Sequence, residues 1–398
     1  MMKNEQSCQI WSLASDKAEY EQFKHLLSNN TTKNVIDQTA FNELLQQQAI
    51  SHLKGAASTT VIHDPCNIRK RESQKMENLD RVRDLDGKII NGYRTFNSVL
   101  LTGQKLFLLG CRPYSQKEDS QKSAGHLSNK EVSFDQIRAI SKAIKADFPE
   151  RRITHLFDRE ADDTEYFELI DKELEDLFIF RLKTNRNSDV EYWDAEKEKQ
   201  RFLKLHLKPL ENQFTFVFQK FLYRGKCYQQ VRAKTSYEKT FVGADYYNVV
   251  KIELFDRKGK AIFAKPMVLI TNYDIPNDEI ALWIYQKYLK RSKIEGVFKF
   301  LKEDLGWESF RVRDFQAIKN IILLGFFVGA YFCEIEPQLI DNPLVIIVCQ
   351  LAKSKGRISR HFFMKGLAIL AQIQMAEQFF KEHNFSNDDL QKLKALLE

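Results

Sequence analysis

The order of apolar runs constrains this chain most. Ser58–Asp64 (STTVIHD) and Arg152–Asp158 (RITHLFD) are short, β-rich and end on an acid. Between them, NSVLL and KLFLLGC flank Thr102-Gly103-Gln104, which predicts a β-hairpin turning on glycine. Ser133 and Gln136 have capping-box spacing and predict the start of a helix, FDQIRAISKAIKADF. After Asp158 come a helical stretch, TEYFELIDKELE, and a strand, LFIFRLK. Strand, hairpin, helix, strand, helix, strand is an order that suits a mixed sheet with helices packed on it. Functional groups in such sheets gather at the carboxyl ends of strands. Asp64 and Asp158 both occupy such a place.

Residues 190–272 are β-rich again. FTFVFQKFLYRGKCYQQV alternates around a glycine-containing turn, and YYNVVKIELFDRKGKAIFAKPMVLITN reads as two strands around the Asp256–Lys260 turn. Asp274-Ile275-Pro276 breaks the pattern, and helices follow to the C-terminus. The expected organisation is a helical segment over 1–57 (EYEQFKHLL and FNELLQQQAISHL), a first core part over 58–189, an all-β insertion over 190–272, a last core part over 273–330 and a helical region over 331–398. The hydrophobic share of 43% excludes a disordered chain. A net charge of +7 suggests a polyanionic partner only weakly. The six cysteines are scattered without a CxxC pair, which predicts reduced thiols and neither a zinc site nor a disulfide framework. The first residues lack a basic stretch followed by an apolar core, so no signal peptide is expected. The longest apolar run, IILLGFFVGAYF at 321–332, is shorter than a membrane span and predicts a buried core helix. A cytoplasmic protein is expected.

One later helix, YLKRSKIEGVFKFLK, carries polar groups beside a greasy seam. At about 100° per residue, Tyr288, Arg291, Glu295 and Lys302 fall within roughly 60° of one another. Ile294, Val297, Phe298 and Leu301 form an adjacent apolar stripe. Alone, this is an i,i+4 salt bridge on a solvated face. Likewise Asp64 before proline is a common turn former, and Asp158 a strand-end cap beside Arg159. Together, Asp64, Asp158 and Glu295 offer three carboxylates from separate elements. Phosphodiester cleavage without a covalent enzyme intermediate uses two Mg²⁺ ions about 4 Å apart, and Mg²⁺ takes oxygen ligands.

These residues resemble a known family. Asp-Arg-Glu-Ala-Asp at 158–162 is similar to the second-aspartate motif of bacterial DDE transposases. Tyr288, Arg291, Glu295 and Lys302 match the Tyr-x2-Arg-x3-Glu-x6-Lys signature of insertion sequence family four at every spacing. VIHDPCNIRK and VRDLDGKIINGYRTFNSVLLTG resemble that family's first-aspartate region. The resemblance spans roughly 58–330. It implies an α/β, RNase H-like mixed sheet with helices on both faces, interrupted by an all-β insertion, with helical N- and C-terminal extensions. It implies cut-and-paste DNA transposition, with Asp64, Asp158 and Glu295 as catalytic residues holding two Mg²⁺ ions, for which Mn²⁺ is expected to substitute. Tyr288, Arg291 and Lys302 would grip phosphates of the element's end. The partners implied are double-stranded DNA with terminal inverted repeats, target DNA, and a second copy of the chain in the synapse, with no membrane. The setting implied is a bacterial cytoplasm, with the protein on the nucleoid when DNA-bound.

Two positions depart from the family pattern: Pro65-Cys66 follows Asp64 where relatives often have Asp-Thr, and Ser292 stands where many have Trp. An extruded base would then need another stacking platform, for which Trp283 and Trp307 are candidates, although a buried core tryptophan is the simpler reading of each. Arg159, Arg181 and Lys183, with Arg186, and the run Arg69-Lys70-Arg71 are expected near the carboxylates as DNA-backbone contacts. The C-terminal LAKSKGRISRHFFMKG is either a further DNA contact or a solubilising face. His63 beside Asp64 reads as a structural histidine. The segment before Asp64 shows no helix-turn-helix, so end recognition is expected to be reduced or shared with the insertion and the C-terminal helices. The rival readings are a nuclease that cuts without joining, and a non-catalytic DNA-binding remnant or inhibitor of transposition.

Overall fold

The computed structural model describes residues 17–28, 36–117, 129–194, 199–223, 226–243, 245–339, 342–354 and 359–382. After two N-terminal helices, α1 (Lys17–Ser28) and α2 (Gln38–Ser51), the chain builds a ten-stranded sheet. β1 (Thr59–Arg69), β3 (Ile89–Thr102) and β4 (Lys105–Tyr114) pair antiparallel in sequence. Gly103 makes the expected β3–β4 turn with a φ of 59°. β2 (Asp80–Arg83) pairs with the first residues of β3. β5 (Ile153–Phe157) and β6 (Leu177–Arg181) then add parallel to β1. The order β4-β3-β1-β5-β6, with helices against the sheet, is consistent with an RNase H-like core.

Much of the β-rich segment extends this same sheet rather than forming a layer of its own. β12 (Met267–Thr271) pairs antiparallel with β6, and β11 (Asp245–Phe255), β10 (Lys226–Val242) and β9 (Asn212–Tyr223) extend the same sheet outward. The open edge of β6 offers a ladder, and the apolar β12 (MVLIT) takes it. β7 (Asn187–Asp194) and β8 (Lys199–Lys204) alone make a separate two-stranded ribbon.

Strand alternation sorts the core into two faces. Ile62, Cys66, Ile68, Leu156, Ile179 and Leu269 pack under α5 (Asp278–Leu289), α6 (Lys293–Lys299) and α7 (Phe315–Leu339). Phe96, Phe157, Phe178, Phe180 and Ile270 face the other way, with Val132 and Ile137 of α3 (Asn129–Asp147) and Tyr166 and Phe167 of α4 (Thr164–Glu168). α8 (Pro343–Leu351) and α9 (Arg360–Glu382) complete the described helices. By length and composition Phe315–Glu334 could cross a membrane, yet 67% of its most apolar stretch is buried, which agrees with a core helix. The Trp307 indole donates to the Ile322 carbonyl in this helix (2.8 Å).

The capping box at Ser133 is not one. The helix already runs from Asn129, and both residues turn inward. Ser133 donates to the Lys130 carbonyl, and Gln136 reaches the Ser98 hydroxyl and the Gly110 carbonyl. The signature helix is also not continuous. A 3₁₀ turn, Lys290–Ser292, separates α5 from α6, and a π turn, Phe300–Asp304, follows α6.

Candidate active site

The parallel ladder of β1 and β5 stops at the pair Ile62–Leu156. Asp64 lies two residues further along β1, and Asp158 two further along the chain from Leu156. Period-two alternation therefore puts both aspartates on the face covered by α5 and α6. β1 itself runs on past Asp64 to Arg69 against β3, so Asp64 marks the end of the parallel pair rather than the end of its strand. Pro65 is tolerated because β1 has lost its β5 neighbour there.

The residues preceding each aspartate face the other way and stack on one another. The His63 and Phe157 rings lie 4.7 Å apart at 15°. His63 is also bonded to the Ser98 hydroxyl (2.8 Å) and to His155 (2.9 Å), and His155 reaches Asp176 (3.3 Å). This chain is buried throughout. Burial, helped by His155, holds the His63 imidazole well below its ordinary pKa. His63 is thus a structural histidine that ties the two aspartate-bearing strand ends together.

Arg291 is the centre of the site. One of its nitrogens, Nη2, donates to Asp64 Oδ1 at 2.9 Å and lies 3.7 Å from Asp158 Oδ2; the other, Nη1, donates to Glu295 Oε1 at 3.0 Å. The 3₁₀ turn between α5 and α6 carries this side chain, which is only 12% exposed. The salt bridge read from spacing exists, but it continues from Glu295 to both aspartates. Asp158 Oδ1 is fixed by the Glu160 amide (2.8 Å), which leaves Oδ2 for the site. Glu295 is 64% exposed and closes the constellation from the solvent side. Burial pushes the Asp64 carboxyl up to about 7, although Arg291 pulls it back and Asp158 adds to the rise. Among the described residues, no three His, Cys, Asp or Glu side chains lie close enough to share a metal ion.

Tyr288 is buried beside this centre. Burial pushes its hydroxyl up to about 12 against the pull of Arg291 and Arg181, so it stays protonated as a donor. The same interactions place Arg181, at the end of β6, in the site's neighbourhood. Lys302, on the π turn, donates to the Asn67 carbonyl (2.7 Å) and pairs with Glu308 (3.2 Å). Lys183 and Arg159 are exposed. Lys183 follows β6 and is held through its amide, which donates to Asp162 Oδ2 (2.7 Å), and Arg186 pairs with the same carboxylate (3.2 Å). The last acid of the Asp-Arg-Glu-Ala-Asp motif is therefore an anchor for that loop.

The run Arg69-Lys70-Arg71 is engaged within the protein, with the Arg71 side chain still 55% exposed. Lys70 is buried, and its ammonium donates to the Glu308 and Phe310 carbonyls (2.5 and 2.6 Å). Arg69 pairs with Glu308 (2.7 Å), and Arg71 with Asp84. Two acids and two carbonyls thus hold these cations in place. Trp307 is fully buried and cannot serve as a stacking platform. Trp283 packs edge-on to Tyr273 with the Lys287 ammonium 4.5 Å from its ring centre. Of the basic C-terminal run, residues 355–358 lie outside the described residues. Sequence reasoning missed Glu308, which holds Lys302 and Arg69 together and carries no periodic signal. It also missed Arg81, Arg83 and Arg94, which line a cavity of about 360 Å³ beside Asp158. The alternation of DRVR was the available signal for the first two.

The model for the transposase DDE domain matches residues 128–329, about half of the chain. The chain belongs to the transposase DDE domain family. No match was found among curated proteins. The matched part of the transposase holds Asp158, Tyr288, Arg291, Glu295 and Lys302. Asp64 lies upstream of it and joins the others through β1.

Proposed function

We propose that this transposase performs cut-and-paste transposition of an insertion sequence of family four, using Asp64, Asp158 and Glu295 as metal-holding residues. The observation that carries this reading is the convergence of these three carboxylates on one cation. Hard oxygen donors from two strand ends and one helix suit Mg²⁺, or Mn²⁺ in its place. Arg291 supplies one positive charge to three negative ones, which leaves room for further positive charge. When bound, a pair of such ions activates the attacking oxygen and stabilises the leaving oxygen.

The protein's own groups position the DNA. The Tyr288 hydroxyl is held protonated and donates to a phosphate oxygen. Arg291 offers a planar fork and Lys302 a point charge. Arg181, Arg159 and Lys183 extend the positive surface along the backbone. Water attacks the phosphorus at the element's end and breaks the P–O3′ bond, which frees a 3′-hydroxyl and leaves a 5′-phosphate. That hydroxyl then attacks the opposite strand, giving a hairpin end, and after reopening attacks target DNA. Two ends must be cut together, so the working form is a dimer on paired inverted repeats in a bacterial cytoplasm.

A strand-transfer assay tests this. A pre-cut duplex ending in the terminal inverted repeat is mixed with supercoiled target DNA and Mg²⁺. Covalent joining of the two is expected. Cutting of uncut ends without any joining would make the protein a nuclease instead, and end binding with neither reaction would make it a remnant.

A further inference from the structure

Arg291 does two incompatible things at once. It is assigned to DNA phosphate, yet its guanidinium already lies between Asp64, Asp158 and Glu295 at 2.9, 3.7 and 3.0 Å. Mg²⁺ binds oxygens at about 2.0–2.1 Å. Carboxylates held apart by a guanidinium cannot close onto an ion at that distance until the arginine leaves. The arginine is also incompletely used. Its Nε is buried without an acceptor, so the present arrangement leaves one arm of the fork unpaired. An unpaired buried donor of this kind is costly and indicates a partner yet to arrive. Arg291 sits in a 3₁₀ turn wedged between two α-helices, a break that often marks a hinge.

We propose that Arg291 is an internal cation held in the divalent-metal position, and that it exchanges out when metal and DNA bind together. This rests on the metal-site reading above. In the free protein the guanidinium neutralises the carboxylates and keeps the site closed. Divalent metal displaces it, and the freed fork takes a backbone phosphate bidentately. DNA in turn draws the arginine away from the carboxylates and opens the site for metal. Each ligand thus raises the affinity for the other, by the same factor in both directions. The exchange delays metal loading until DNA is present.

Binding of Mn²⁺ to the full chain, followed by its electron-spin signal with and without a 30-base-pair duplex, tests the exchange without any cleavage. Arg291→Gln removes the resident cation. It should bind Mn²⁺ at least tenfold more tightly than wild type in the absence of DNA. For wild type the duplex should raise Mn²⁺ affinity about fivefold or more, and Mn²⁺ should raise duplex affinity equally. Both effects should vanish in Arg291→Gln. Unchanged or weaker Mn²⁺ binding by that variant would overturn the proposal. If Arg291→Gln fails to fold, Arg291→Met, which also removes the charge and keeps the apolar stem, should bind Mn²⁺ more tightly than wild type. Affinity at or below wild type would again overturn it. Asp158→Asn separates the two levels. If it leaves Mn²⁺ binding intact, the metal-site reading itself fails. If it abolishes binding while the Arg291 variants do not tighten it, only the exchange fails.

Discussion

Asp64 is where function and stability pull apart. Burial pushes its carboxyl from 3.8 up to about 7, against the attraction of Arg291. An acid whose pKa is higher in the folded state binds more protons folded than unfolded. Stability is then greatest at low pH and declines as pH rises from about 4 through about 7, levelling off above. At about 1.4 kcal/mol per pKa unit, the cost of the charged form reaches roughly 4 kcal/mol at pH 8. Asparagine has almost the same shape, carries no charge, and keeps an oxygen to accept from Arg291. Asp64→Asn should therefore be more stable than wild type by about 2–4 kcal/mol at pH 8, and this advantage should shrink by about 2.5 kcal/mol at pH 5. Urea unfolding at both pH values, in chelator, measures this. Every other titrating group is common to the two proteins, so the pH dependence of the difference isolates Asp64. A variant less stable than wild type at pH 8, or a difference that ignores pH, would show that the buried Asp64 charge does not burden the fold.

Other perturbations give equally definite results. Lys302→Ala strips the Asn67 carbonyl and Glu308 of a donor and should cost about 1–3 kcal/mol in thermal or chemical unfolding. His63→Ala removes the stack on Phe157 and the bond to His155. It should cost about 2–4 kcal/mol and also weaken Mn²⁺ binding, because the two aspartates lose their common tie. Burial pulls the Lys287 ammonium down to about 8, with Lys290 adding to the effect. A lysine with a lowered folded pKa penalises the fold increasingly as pH falls from about 10.5 to 8, and fully below that. Lys287→Met should therefore stabilise by about 1–3 kcal/mol at pH 7 and by nearly nothing at pH 10.5, as read by paired denaturation curves.

The core was legible because it is written in local signals. Two acid-ended strands, a glycine hairpin and alternating apolar runs each obey a short-range rule, and the sheet follows from their order. The signature residues were legible by spacing. Ideal helical geometry nevertheless misplaced their environment, because the run breaks into a 3₁₀ turn at Arg291 and a π turn at Lys302. At these breaks Arg291 and Lys302 reach Asp64 and Asn67 of β1, distant partners that no local rule contains. The same holds for Ser133 and Gln136, whose capping-box spacing is overridden by buried partners on β3, β4 and α4. Lys70 and Arg69 read as a surface cluster because their partner, Glu308, lies more than 230 residues away in sequence. The sheet extension by β9 to β12 depended on which edge of β6 was free, a fact of topology rather than of sequence pattern.

The central claim is that Asp64, Asp158 and Glu295 form one metal-dependent cutting centre. The most direct test is cleavage of a duplex bearing the element's terminal inverted repeat in Mg²⁺, comparing wild type with Glu295→Gln. The substitution keeps the size of the side chain and removes its charge. Wild type should nick at the repeat boundary, while the variant should bind the same duplex and leave it uncut. Cutting by Glu295→Gln at the wild-type rate would contradict the account.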